Sequence, residues 1–300
     1  MAVQVAGSIN VDLIQTVDTL PRPGETILAH SSKRLPGGKG ANQAVAASRM
    51  GAVTRFTGAV GEDEEGRWMR EILAHDGIDT SGIASLPGQL TGLALIAVDS
   101  GGENQIIVNP GANGAVSPGQ ARSLADDARV LLAQQEIPLE TVRAFFGAPG
   151  AAGKLRILNA APAISGAASL FDLTDILIVN QHELAEYLHL ERAPSGQDEA
   201  LAARQLIRRD DQVVIVTLGA GGALAVWADR TFHAPAQPVT ALDTIGAGDC
   251  FCGALAALLD AGETVESALP LANAAAALCT QKQGAIPAMP TREELESFLS

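Results

Sequence analysis

At 300 residues the chain is long enough for one large domain, or two smaller ones, around a substantial core. A hydrophobic content of 47% excludes a disordered chain. A formal net charge of −14 with no Lys/Arg-rich run argues against nucleic acid as a partner, and no window nears the roughly 18 apolar residues of a membrane span. The first residues, MAVQVAGSIN, carry no basic region and no long apolar run, so no secretion signal is expected. In chain order, an apolar strand is predicted at 3–6, ending in Gly7-Ser8-Ile9-Asn10. Residues 11–36 alternate in short pieces around Pro21, Pro23 and Gly24 and read as β and turn. Small residues at helical spacing predict a helix over 39–50, stopped by Gly51. A strand at 54–60 and an acidic helix start near 63–73 follow. Segment 88–110 returns to β character: TGLALIAVD, the turn Ser100-Gly101-Gly102-Glu103, then NQIIVN, which is a hairpin pattern. Beyond 115, strands at 130–132, 155–159, 176–179 and 213–217 alternate with helical stretches around 138–146, 166–171, 182–190 and 197–210. Small-residue helices are predicted at 250–259 and 272–278.

Strands alternating with helices imply an α/β fold, a three-layer, doubly wound, mostly parallel sheet covered on both faces. Segments 11–38 and 88–110 interrupt that plan. They are expected to form one small β-sheet lid, with 1–10, 39–87 and 111–300 making the α/β domain. The cysteines Cys250, Cys252 and Cys279 offer no disulfide framework, so a cytoplasmic protein is expected. Cys250 and Cys252 read as small helix residues, and the histidines show no metal-ligand spacing.

The most informative stretch is DTIGAGD, Asp243 through Asp249, followed by an apolar helix. Gly246, Ala247 and Gly248 keep side chains out of the way, so backbone N–H groups can converge where the helix dipole favours an anion. Asp249 places a carboxylate at the mouth of the same cradle. An anion cradle with a base beside it is what phosphoryl transfer to a hydroxyl needs. Gly37-Gly38-Lys39-Gly40-Ala41-Asn42-Gln43 is the second signal: a ligand can approach the glycines, and Asn42 can donate to and accept from hydroxyls. It is not a Walker A motif, and a plain Gly-rich loop with a helix cap is the alternative. Asn10 and Asp12 follow the first strand, where α/β sheets bind ligands, although an ordinary turn would look the same. Asn180 and Glu183 suit a phosphate and a water-bound Mg²⁺; their spacing equally predicts a capping box, and both can hold at once. Thr217-Leu218-Gly219-Ala220-Gly221-Gly222 reads as a nucleotide loop or a tight turn.

In order along nearly the whole chain, these motifs resemble the ribokinase-like (phosphofructokinase-B-type) sugar kinases. The matching stretches are GSINVD at 7–12, GGKGANQAVAA at 37–47, Thr91-Gly92, Gly111-Ala112-Asn113, Glu136 with Pro138-Leu139-Glu140, Asn159 with Ala161-Pro162, Asn180 with Glu183, Thr217-Leu218-Gly219, DTIGAGD, and Lys282 to Pro287. The resemblance implies a sugar site at Asn10, Asp12, Gly38, Lys39, Asn42 and Glu136, with Asp249 as base and Gly246, Ala247 and Gly248 as anion hole. It implies ATP contacts at Asn180, Thr217, Gly219, Gly222, Gly248 and Asn273, and Mg²⁺ held through water by Glu183. It further implies a monovalent-cation (K⁺) loop at Asp243, Ile245, Cys279, Lys282, Gly284 and Ala288, several acting through backbone carbonyls. Ala288 stands where the family often carries a hydroxyl, and Asn273 cannot stack on adenine as a histidine could.

The activity so implied is ATP-dependent phosphorylation of the 5-hydroxyl of D-ribose. Deoxyribose, another pentose, fructose or a nucleoside remain alternatives. Neither lid segment contains Phe, Trp or Tyr, so a small sugar is expected over a flat base. The apolar strands of the lid predict a homodimer formed lid to lid. A dinucleotide-dependent oxidoreductase would need an early Gly-x-Gly-x-x-Gly, which is not evident, and a non-catalytic sugar binder would be expected to lose Asp249 or its glycines.

Overall fold

Apolar β-branched runs build the centre of the molecule, and loops at one edge of that centre carry the polar residues. A computed structural model describes residues 1–300. The strands are β1 (Ala2–Ala6), β2 (Asn10–Thr16), β3 (Ser31–Gly37), β4 (Val53–Gly61), β5 (Asp79–Leu86), β6 (Gly92–Val98), β7 (Asn104–Asn109), β8 (Ala128–Ala133), β9 (Leu155–Asn159), β10 (Ile176–Asn180), β11 (Val213–Thr217), β12 (Ala223–Val226) and β13 (Thr231–Ala234). The α-helices are α1 (Lys39–Arg49), α2 (Glu64–His75), α3 (Pro118–Ala121), α4 (Leu139–Phe146), α5 (Gln181–Tyr187), α6 (Gln197–Arg204), α7 (Ala247–Asp260), α8 (Val265–Cys279) and α9 (Arg292–Leu299).

Nine strands form one sheet in the order β13-β12-β11-β10-β9-β8-β1-β4-β5. It is parallel from β5 through β11, and β12 and β13 extend it antiparallel. The two-residue period of a strand decides which face each side chain joins. Along β10, Ile176 and Ile178 enter the core beneath α1, α7 and α8, while Leu177 and Val179 enter the core beneath α4 and α6. Along β11, Val213 and Ile215 split from Val214 and Val216 in the same way. Fully burying one such side chain contributes about 1.5–3 kcal/mol. A charge at either kind of position would therefore disrupt a helix–sheet layer.

A second sheet has the order β3-β2-β6-β7, with β2 and β6 parallel and the outer pairs antiparallel. It is rooted beside the large sheet, because Asn10 pairs with both Gly37 and Gly92 just beyond β1. Its edge strand β7 is exposed along its whole length, including Ile106, Ile107 and Val108. No helix is long and apolar enough to cross a membrane.

The contact between α1 and α7 positions the chemistry. A Cβ added to Gly253 would lie 2.6 Å from the Ala46 Cβ and 3.0 Å from the Ala47 amide nitrogen. The two helices therefore meet at a seam of small residues, with their N-terminal turns side by side. Elsewhere the helix expected at 166–171 is a 3-10 helix, Ala167–Leu173, and those expected to reach 190 and 210 stop at Tyr187 and Arg204. His189, at φ 54, sits just beyond the first of these endings. Strands β5, β12 and β13 were not expected. β5 (DTSGIASL) is weakly apolar, and four-residue strands are too short for periodicity to declare.

Candidate active site

Parallel strands end at one edge of the sheet, and that edge collects the polar residues. Asn159, Asn180 and Thr217 are the last residues of β9, β10 and β11, and Gln134 directly follows β8. The start of α1 brings Lys39, Asn42 and Gln43 to the same place, and the start of α7 brings Asp249. Asp249 is buried, and its two carboxylate oxygens each accept one amide N–H. Asn42 Nδ2 donates to Oδ2 at 2.8 Å and Gln43 Nε2 donates to Oδ1 at 2.9 Å.

Around this carboxylate lies a polar floor. Asn10 is buried, and its Oδ1 accepts from Asn113 Nδ2 at 2.8 Å. Glu136 Oε2 accepts from Ser8 Oγ at 2.6 Å and from the Lys39 backbone N–H at 3.2 Å. Asp12 stands half-buried over the floor. Burial first, then Glu136 and Asp249, push its carboxyl up to about 6. Burial is the largest influence on the Lys39 ammonium and lowers its pKa. The surrounding Asp249, Glu136 and Glu183 outweigh it and hold Lys39 above the usual lysine value. Asn42 Oδ1 is buried with no partner in the protein, so one acceptor is left facing the floor.

At the start of α7, Gly246 has φ 79, the left-handed conformation in which glycine is at ease. Cys250 N–H donates to Gly246 O at 2.8 Å and Ala247 N–H reaches Thr244 O at 3.3 Å. The amides of Gly248 and Asp249 have no acceptor within the protein. They are the first-turn donors that an anion would satisfy. A cavity of about 610 Å³ continues from this turn, lined by Thr217, Gly219, Gly222, Gly248, Phe251 and Asn273 among others. Asn273 contributes wall more than donor, since its Nδ2 is bound to Ala234 O at 2.8 Å. Ala236, Gln237, Pro238, Val239 and Ala241, between β13 and α7, also line the cavity.

Asn180 and Glu183 form the expected capping box: Glu183 N–H donates to Asn180 Oδ1 at 2.8 Å and Asn180 N–H to Glu183 Oε2 at 2.8 Å. Burial raises the Glu183 carboxyl above its ordinary value, and Glu183 Oε1 makes no hydrogen bond within the protein. Beside the α7 turn, Asp243 ties two loops together, accepting from Ile245 N–H at 3.0 Å and Gly284 N–H at 2.9 Å. Cys279 and Ala288 are buried there. The Lys282 ammonium turns away to Glu294 at 2.6 Å, so only its backbone faces the loop pair.

The structure thus gathers Asn10, Asp12, Lys39, Asn42, Glu136 and Asp249 around one space, with Gly246, Ala247 and Gly248 between it and the large cavity. Three contributors carry no assigned function from the sequence: Gln43 and Asn113, which lie within matching motifs, and Gln134, which does not. Gln134 carried a usable signal, because it directly follows a strand at the ligand edge.

The pattern of the pfkB family of carbohydrate kinases matches residues 2–292. A ribokinase of Bacillus subtilis is 38% identical over 299 residues, covering 99% of this chain and 98% of its own length. The structure of Arabidopsis thaliana ribokinase complexed with ribose and ATP superposes with a TM-score of 0.86 at 31% identity, covering 100% of this chain and 99% of that one. The Thermotoga maritima ribokinase structure gives a TM-score of 0.88 at 33% identity, covering 100% and 99%.

Proposed function

We infer that this chain, which belongs to the pfkB family of carbohydrate kinases, transfers the γ-phosphoryl group of ATP to the 5-hydroxyl of D-ribose. One observation carries the reading at the level of chemistry. A buried carboxylate, Asp249, held by two amides, lies in the first turn of α7, where the Gly248 and Asp249 N–H groups lack acceptors.

Asp249 takes the proton from the 5-hydroxyl as its oxygen attacks the γ-phosphorus. The bond from that phosphorus to the β–γ bridging oxygen breaks, and ADP leaves. The free N–H groups of the α7 turn, with Gly246 and Ala247 shaping it, stabilise the negative charge that develops on the phosphoryl oxygens. Asn10, Asp12, Gly38, Asn42 and Glu136 hold the other sugar hydroxyls, and the unpaired Asn42 Oδ1 is suited to accept one of them. Lys39, surrounded by three carboxylates, offers its positive charge to sugar and phosphate at once. Thr217, Gly219, Gly222, Gly248 and Asn273 line the nucleotide's cavity, and Asn180, the last residue of β10, is assigned to the phosphates by the family resemblance.

Glu183 fits a Mg²⁺ that keeps its waters: a buried carboxylate whose pKa is raised by burial gains from a nearby cation, and one oxygen is uncommitted. When bound, Mg²⁺ neutralises phosphate charge. A K⁺, as the family resemblance implies, would be held by backbone carbonyls among Ile245, Cys279, Lys282, Gly284 and Ala288, on the two loops that the Asp243 carboxylate ties together. We place the protein in the cytoplasm, where its three free, buried cysteines stay reduced. The small sheet (segments 11–38 and 88–110) acts as a lid that excludes water, and its exposed edge pairs two copies into a homodimer. The α/β domain comprises 1–10, 39–87 and 111–300.

A coupled ADP-release assay with Mg²⁺, over D-ribose, deoxyribose, fructose and adenosine, with and without K⁺, tests the reading. The highest kcat/KM is expected with D-ribose. An adenosine efficiency equal to that for D-ribose would sink the substrate assignment.

A further inference from the structure

We propose that Gln43 is a positioning residue for the base: a buried amide, locked by Gln134 and Asn159, that fixes the Asp249 carboxylate for proton abstraction without touching either substrate. The proposal rests on the reading of Asp249 as the base.

A side-chain amide has two N–H donors and one carbonyl acceptor. Both donors of Gln43 are spent, one on Asp249 Oδ1 at 2.9 Å and one on Asn159 Oδ1 at 3.0 Å. Its carbonyl accepts from Gln134 Nε2 at 2.7 Å. Gln43 and Gln134 are both 0% exposed. Only one orientation satisfies this set. A flipped Gln43 would turn its carbonyl on the oxygens of Asp249 and Asn159, and its N–H groups on the Gln134 amine. In a buried site those mismatches are costly, so the amide cannot rotate freely.

Asp249 is consequently gripped at both oxygens by consecutive residues of one helix, which blocks rotation of its carboxylate plane. The two grips differ in what else they do. Asn42 keeps a buried, unpartnered Oδ1 and so is shared between the base and a ligand. Gln43 has no free polar atom and no exposure, so it serves the base alone. Gln134 acts one step further back: it donates only to Gln43, and the close approach of Gly7 to its carbonyl end leaves it little room to move.

This division predicts a split in kinetics. Replacing Gln43 by Met keeps the buried volume and removes both donors. Gln43→Met should lower kcat by about 10- to 100-fold, the scale of a misplaced reacting group, with KM for D-ribose within about twofold. Gln134→Met should lower kcat less, by about 3- to 10-fold, again with little change in KM. Because Gln134 acts through Gln43, the double variant should be no slower than Gln43→Met alone. Thermal melting of each variant reports folding, and Gln134→Met carries the same kcat-against-KM test should Gln43→Met fail to fold. A folded Gln43→Met enzyme with kcat within twofold of wild type overturns the proposal, as does a double variant whose losses multiply. If the wild-type enzyme prefers another sugar to D-ribose, the substrate reading fails; the same ratios measured on that sugar still decide the role of Gln43.

Discussion

Replacing Gly248 by alanine separates what the α7 turn does for the fold from what it does for a ligand. Gly248 is not among the positive-φ glycines, and a Cβ built on it meets no heavy atom within 4 Å. Nothing in the protein requires glycine there. The substitution should leave stability unchanged or raise it by about 0.5–1 kcal/mol, because alanine loses less backbone entropy in a helix. The added methyl enters open space at the cavity's lining, beside the turn proposed to cradle the phosphoryl group. Moving a reacting group by about 1 Å costs about 100-fold, and losing one cradle donor about 100- to 1000-fold. Gly248→Ala should therefore melt at or slightly above the wild-type temperature while kcat falls by about 100-fold or more. Gly246→Ala is the contrast. Its φ of 79 and a Cβ lying 2.8 Å from the Ala285 Cβ make it lose stability as well, by about 1–2 kcal/mol from the backbone alone. Thermal melts beside ADP-release kinetics at saturating ribose and ATP read both effects. A Gly248→Ala enzyme with near-normal kcat would refute the cradle, and one with a clearly lowered melting temperature would refute the claim that the space is kept for a ligand.

Asp249→Asn should lower kcat by about 100- to 10,000-fold while calorimetry still detects D-ribose binding; near-normal turnover contradicts its role as base. If Asp12 holds the sugar as proposed, its carboxyl, raised from 3.8 to about 6 mainly by burial, should make ribose binding pH-dependent. If hydroxyls require the carboxylate, ribose affinity should weaken by about fivefold between pH 6 and pH 5, and Asp12→Asn should bind weakly with a flat profile. The same raised pKa means the folded chain holds this proton more tightly than the unfolded chain. Stability of the sugar-free enzyme contributed by Asp12 is therefore present below pH 3.8 and lost as pH rises through about 6, which pH-dependent melts of wild type and Asp12→Asn can compare. For assembly, light scattering should find a dimer in wild type and a monomer in Ile107→Glu, since Ile107 is 69% exposed on the lid's edge strand; a monomeric wild type contradicts the lid-to-lid dimer.

Much of the fold was legible because the central strands are continuous apolar runs separated by turn signals. ILIVN and VVIVT declare themselves, and their last residues, Asn180 and Thr217, stand at the sheet's polar edge. DTIGAGD was legible because glycines before a carboxylate at a helix start have few structural uses. Asn180 with Glu183 was legible both as a cap and as a candidate site, and the capping box is formed. The hidden parts depend on tertiary approach. Gln43 looks like any polar residue near a helix start until the small seam of α1 and α7 brings Asp249 onto it. Asn273 shows the converse: only the family resemblance singled it out, and its hydrogen bond to Ala234 O depends on the end of β13, a strand too short to predict. Ala236, Gln237, Pro238, Val239 and Ala241 carry no motif of their own and acquire meaning only as lining of a cavity.

The most direct measurement is the identity of the product when the enzyme is given D-ribose and Mg²⁺-ATP, read by phosphorus and carbon NMR. Ribose phosphorylated at the 5-hydroxyl, formed one for one with ADP and abolished in Asp249→Asn, is the predicted result. Phosphate on another hydroxyl, or ADP released without any sugar phosphate, would contradict the account.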